Sequence, residues 1–130
     1  MSALNYKDLV VWQKSMDLAV EIYKIVGKLP KQETYALSDQ MRRASVSVPS
    51  NIAEGQERGS DKDFIRFLYI ALGSKSELET QLHLAIRIGM LKEEDISTAL
   101  QLSVEIGKML NSLISKIAAK SGNRQLATGN

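Results

Sequence analysis

Apolar side chains recur along most of this chain in steps of three and four, the spacing that lines up one face of an α-helix. In the first segment Leu9, Trp12, Met16, Ala19, Tyr23 and Val26 follow that step, and Val11, Leu18, Ile22, Ile25 and Leu29 widen the same face. Lys14, Asp17, Glu21, Lys24 and Lys28 occupy the opposite side, so the pattern predicts an amphipathic helix over residues 9–28, ending before Pro30. Leu37, Met41, Ala44, Val48, Ile52 and Gly55 mark the buried side of a second helix, residues 31–57. Residues 44–48 alternate with period two, as a strand would, and Pro49 follows them. No second strand is available for pairing, and a lone strand leaves its backbone groups without partners. The segment is therefore expected to be one helix, kinked or locally unwound near Pro49. An interior proline removes a backbone bond at a cost of about 3 kcal/mol, and Ser45 and Ser47 are expected to serve the freed carbonyl.

Ser60 with Asp63 three residues on opens a third helix, residues 61–88, which Gly89 closes. Phe64, Phe67, Leu68, Ala71, Leu78, Leu82, Ala85 and Ile88 are its predicted core stripe. Glu93, Glu94 and Asp95 suit the positive end of a fourth helix, residues 93–120. Ile96, Leu100, Ser103, Gly107, Leu110, Ile114 and Ile117 form its buried stripe. Residues 121–130 lack periodicity and read as a mobile tail. Four amphipathic helices on short connections predict an all-α fold, an up-down-up-down antiparallel four-helix bundle over residues 1–120.

Composition narrows the chemistry. The chain has 130 residues, 44% of them apolar, which is one domain with enough material for one core. It has no cysteine and a single histidine, His83, so thiolate sites, clustered imidazoles and most relay mechanisms are absent. No apolar run approaches the ~18 residues of a membrane span, and the N-terminus lacks a signal-peptide pattern, so a cytoplasmic protein without membrane contact is expected. Glu54 and Glu57 have no base beside them, and Glu77 and Glu79 point to different faces of a helix. The Glu-x-x-His pairs of a di-metal bundle are missing, and Gly55 to Gly59 lacks the ending of a phosphate loop. These absences lead to an expectation of no enzyme, no cofactor, no metal and no small-molecule substrate.

Two surfaces are candidates for binding. On the third helix Arg66, Tyr69, Gly73, Ser76, Thr80, His83 and Arg87 form a stripe away from the core. It reads as a solvent face, as a ligand contact, or as a subunit contact centred on Gly73, Ser76, Thr80 and His83. Arg42, Arg43, Arg58 and Arg66, with Lys62, are candidate phosphate contacts. Asp39, Glu54, Glu57, Asp61 and Asp63 are interleaved with them, which a plain salt-bridge network also explains. The net charge of +2 leaves the question open.

Three blocks carry a resemblance: NYKDLVVWQK at residues 5–14, QMRRASVSVPSNIAEG at 40–55, and FLYIALGS at 67–74 with ELETQL at 77–82. The chain resembles the bacterial four-helix bundle family known as 23S rRNA intervening-sequence proteins, from about Asn5 to Lys120. It is similar in fold to the accessory variability proteins of diversity-generating retroelements, which assemble as pentamers and engage a reverse transcriptase and nucleic acid. The resemblance offers no catalytic residues. It implies a signature of Arg43, Ser47, Pro49, Ser50, Asn51, Glu54 and Gly55, joined by Gly73, Ser74 and Glu77, with a structural or a binding role. Asn51 lies near the core stripe, and Glu77 or the carbonyl freed by Pro49 is the expected partner of its amide. The combined expectation is a non-enzymatic adaptor, a homopentamer, that binds RNA, structured nucleic acid or a ribonucleoprotein partner such as a reverse transcriptase. The alternative is a purely structural protein–protein interaction module.

Overall fold

The computed structural model describes residues 5–128. Four α-helices account for most of it: α1 (Val10–Val26), α2 (Asp39–Glu57), α3 (Asp61–Arg87) and α4 (Glu93–Thr128). Each helix packs on its neighbours in sequence, α1 also packs on α4, and the α2–α3 contact is the most extensive. The chain is thus an antiparallel four-helix bundle closed by α1 against α4.

The core draws on the predicted stripes of α2, α3 and α4, with Met41, Val48, Ile52, Leu68, Leu78, Leu82, Ile96 and Leu110 fully enclosed, and it adds Ile106, which the predicted stripe of α4 left out. On α1 the buried face is rotated from the first-named stripe. Val11, Leu18, Ile22, Ile25 and Val26 enter the core, while Met16 and Tyr23 are 41% and 52% exposed. The apolar arc of α1 is wider than the bundle can cover, so one of its edges stays outside. Ile88 is likewise exposed, because α3 ends at Arg87 before it can turn inward.

Both helix starts on the turns are capped. Ser60 Oγ accepts from the Asp63 N–H at 3.1 Å, and Asp95 Oδ2 accepts from the Lys92 N–H at 2.8 Å. Lys28 reaches Asp95 at 3.1 Å and ties the end of α1 to the start of α4. Gly59 (φ 85°) and Gly89 (φ 81°) hold the left-handed conformations that reverse the chain on either side of α3. Before α1, Asn5 Oδ1 accepts from the Lys7 N–H at 2.8 Å, and Tyr6 meets Trp12 edge to face at 5.4 Å. Gln13 then bonds the Lys7 carbonyl at 2.9 Å, which fastens this short 3-10 turn to α1.

Three expectations change. The second segment is not one helix from residue 31: a 3-10 turn (Lys31–Glu33) and a π-turn (Thr34–Ser38) precede α2. Changes of winding break the uniform 3.6-residue period that a single helix requires. Pro49, by contrast, sits within continuous α-helical winding, without local unwinding, and its ring is buried. The fourth helix does not stop at Lys120 but runs to Thr128, through Gly122 and the good helix formers that follow it, Arg124, Gln125, Leu126 and Ala127. The last two residues of the expected tail lie outside the described residues.

α2 and α3 come into close contact at Gly55. A Cβ there would stand 2.7 Å from Phe67 Cβ and 3.1 Å from Phe64 Cδ1, so only hydrogen fits. Gly73 is the opposite case, with nothing within 4 Å of an added Cβ. Gly55→Ala is expected to destabilise by about 1–3 kcal/mol, because overpacking outweighs helix propensity. Gly73→Ala is expected to stabilise by up to about 1 kcal/mol from propensity alone. Urea denaturation of the two variants beside the wild type gives both signs.

Candidate nucleic-acid interface

The four candidate arginines do not form one cluster. Arg58 ends α2 and Arg66 lies one turn into α3, so the tight α2–α3 turn brings them together. Their guanidinium carbons lie 5.0 and 4.5 Å from the centroid of the Phe67 ring, which is 7% exposed beneath them. Arg42 and Arg43 sit fifteen or more residues earlier on α2, about 22 Å away along the axis. Each exposed arginine of the set has a carboxylate nearby: Arg43 with Asp39 at 3.3 Å, Arg58 with Glu54 at 3.4 Å and Arg66 with Asp63 at 3.7 Å. Such surface pairs contribute about 0–1 kcal/mol and give way readily to a stronger anion. The Phe67 ring is covered by protein and offers no face to a base.

The signature residues are mostly an interhelix seam. Ser47 on α2 and Ser74 on α3 share a hydroxyl–hydroxyl bond of 2.8 Å. Asn51 Nδ2 donates to the Ser47 carbonyl and hydroxyl at 2.8 and 2.9 Å. Its partner is therefore not Glu77, which is exposed, nor the Ser45 carbonyl freed by Pro49. Neither serine turns to that carbonyl: Ser45 donates to the Arg42 carbonyl at 2.8 Å, and Ser47 is engaged by Ser74 and Asn51. Ser45 and Asn51 thus take partners within one turn of their own helix, the local side-chain-to-backbone bonding to which Ser and Asn are prone. Gly55 supplies the close contact at the lower end of the seam. Ser50 and Glu54 are exposed, and Pro49 is buried.

The candidate subunit contacts Gly73, Ser76, Thr80 and His83 share the outer face of α3 and are all exposed. Thr80 folds its hydroxyl back onto the Ser76 carbonyl at 2.9 Å, which leaves the ridge low and small.

A polar group missed by the sequence reading lies between α3 and α4. Lys75 Nζ bonds Glu79 Oε2 at 2.9 Å, and Ser103 on α4 donates to the same oxygen. Lys75 reaches this position by lying across Gly107, where a Cβ would stand 3.0 Å from Lys75 Cε. Burial works to raise the Glu79 pKa, but the hydrogen bonds from Ser103 and Lys75 and the charges of Lys75 and His83 outweigh it, and the carboxyl is held below its usual value. From sequence, Lys75 and Glu79 look like an ordinary i,i+4 surface pair, and only the register of α3 on α4 sets Ser103 and Gly107 against them. Among the described residues no group of three His, Asp or Glu side chains is arranged to hold a metal ion. None of the helices is long and apolar enough to cross a membrane among the described residues.

The fold and seam define a class first: small antiparallel four-helix bundles with a serine- and glycine-lined α2–α3 contact. The chain belongs to the 23S rRNA-intervening sequence protein family, which matches residues 7–112. It is similar to a crystal structure, at 1.70 Å, of a protein with unknown function from the S23 ribosomal protein family of Bacteroides thetaiotaomicron. The two share 35% identity over 80% of this chain and 97% of that one, with a TM-score of 0.74. No curated protein matches the chain.

Glu79 generates a pH prediction. Its folded-state pKa is depressed, so the stability it contributes is present above the ordinary carboxylate value of 4.5 and is lost as pH falls through the lower folded value. Glu79→Gln is expected to destabilise by about 1 kcal/mol at neutral pH. The gap to wild type should close as pH drops below the ordinary value. Thermal melts of both proteins across the acid range check it, and a gap that widens in acid contradicts the assignment.

Proposed function

We propose that this chain is a non-enzymatic helical adaptor that self-associates and holds RNA, or a ribonucleoprotein partner, at the end of the bundle where α2 turns into α3. The observation that carries the reading is the convergence of Arg58 and Arg66 on one ring beside the exposed Lys62. The family's own name, which refers to an rRNA insertion, supports the choice of RNA. Assembly through the outer face of α3, as a homopentamer, would repeat the +2 charge of each subunit around a shared surface. Two settings fit an adaptor of this kind: an rRNA insertion, or a retroelement whose reverse transcriptase is the partner. The neighbouring genes separate them.

A specific observation favours a second reading. Arg43, Arg58 and Arg66 each already have a carboxylate within 3.7 Å, as in a module whose charges serve only its own fold.

Assembly is tested by light scattering after size exclusion, where a mass several-fold above 14.4 kDa is expected. Gly73→Leu should lower that mass with helix content unchanged, and a monomeric wild type rejects self-association. RNA binding is tested by fluorescence anisotropy over a salt series. The logarithm of affinity should fall with the logarithm of salt by about 0.7 per phosphate neutralised on a single strand, and Arg58→Glu should weaken binding to all sequences alike and flatten the slope. No binding at low salt selects the interaction module.

A further inference from the structure

The edge of α1 that the core leaves outside forms a surface with α2. Met16, Val20 and Tyr23 on α1 and Val46 on α2 are each 41–55% exposed and adjoin one another. Three depressions run end to end along this line, and Val46 lies in the wall of all three. From Arg42 to Ala53 the groove covers about 16 Å, three turns of helix. Single exposed apolar residues are ordinary, but a continuous apolar trough across two helices marks a contact surface.

Charge at the two ends differs. The Trp12 end is lined by Tyr6, Pro49, Ser50 and Ala53, all neutral, and Lys7, 5.9 Å from the Tyr6 ring centroid, has the exposed Asp8 next to it in the chain. The Tyr23 end carries Lys24, Arg42 and Arg43 against one carboxylate, Asp39, which Arg43 already engages at 3.3 Å. The trough therefore asks for an apolar ridge with acid at one end. The chain's own exposed apolar ridge does not answer that description. On α3, Tyr69, Ile70 and Leu84 come with Arg66 at one end and Arg87 at the other, and the exposed carboxylate of that face, Glu77, lies between them, so neither end of the ridge is acidic.

We propose that the α1–α2 groove receives a short amphipathic helix from a different protein, three to four turns long, with its carboxylates over Lys24 and Arg42. Apolar side chains at i, i+4 and i+7 would fill the depressions around Met16, Val20 and Val46. Charge pairing at the Tyr23 end would fix the direction in which the helix lies. This inference goes beyond the RNA reading and does not rest on it. It uses another face of the bundle.

The test uses the full chain and a fluorescein-labelled synthetic amphipathic helix of about 15 residues. Leucines line one face, and three glutamates stand at one end. A twin peptide carries lysines in their place. Anisotropy titration should show the acidic peptide binding about tenfold or more tightly than its twin. Arg42→Glu should erase or invert that preference. Val46→Glu and the milder Val46→Ser should each weaken the acidic peptide, with circular dichroism unchanged because the side chain is 43% exposed. Equal binding of the two peptides, or no binding of either, overturns the proposal. So does a fall in wild-type assembly mass on Val46→Glu, which would make the groove a contact between copies.

Discussion

A Cβ at Gly55 would stand 2.7 Å from the Cβ of Phe67, and the missing methyl sets how close α2 and α3 come. At that separation the hydroxyls of Ser47 and Ser74 meet at 2.8 Å, and Asn51 completes the bond set from the same helix. The seam is polar in its middle and tight at its turn end, so sliding one helix along the other would break both features together. A bundle with purely apolar seams tolerates such slippage more readily, because one leucine substitutes for the next. Phe67 also carries the constraint outward. Its Cβ rests against Gly55 while its ring lies under Arg58 and Arg66, so the contact that fixes the helix separation also places the two guanidiniums.

The α3–α4 seam has the same design with different chemistry. Gly107 provides the space, Lys75 fills it, and Glu79 with Ser103 closes the polar group. In each case a glycine in the middle of a helix is explained by what lies across from it. Gly73 lacks such a neighbour among the described residues.

Much of this was legible in the sequence, and the remainder failed for identifiable reasons. Helical period located all four helices because their core stripes on α2, α3 and α4 are clean. It misplaced the face of α1 because eleven apolar residues between Leu9 and Leu29 leave the direction of burial undetermined until a neighbour is chosen. It expected the disturbance at Pro49, yet the winding changes at Lys31–Ser38 instead. Pro49 is buried in the bundle, and that burial is invisible to local rules. Asn51 was correctly placed near the core but given the wrong partner, since Glu77 points to solvent. The arginines were singled out as one set, and sequence distance concealed that Arg58 and Arg66 are neighbours while Arg42 and Arg43 are a separate group.

The surface of α1 follows from the same accounting. The core is complete with Val11, Leu18, Ile22 and Ile25 enclosed, so folding gains little from Met16, Val20 or Tyr23. Exposed apolar groups contribute nothing to a monomer and favour its association with something else. Placing them along three turns beside Lys24 and Arg42 gives the bundle two unlike outer surfaces: a ridge on α3 that mixes small polar side chains with Tyr69, Ile70 and Leu84, and a largely apolar trough on α1 and α2. A ring of identical subunits that used only the ridge would leave the trough facing outward on every copy. In the adaptor proposed above, the face that joins copies and the face that receives a partner would then be different ones.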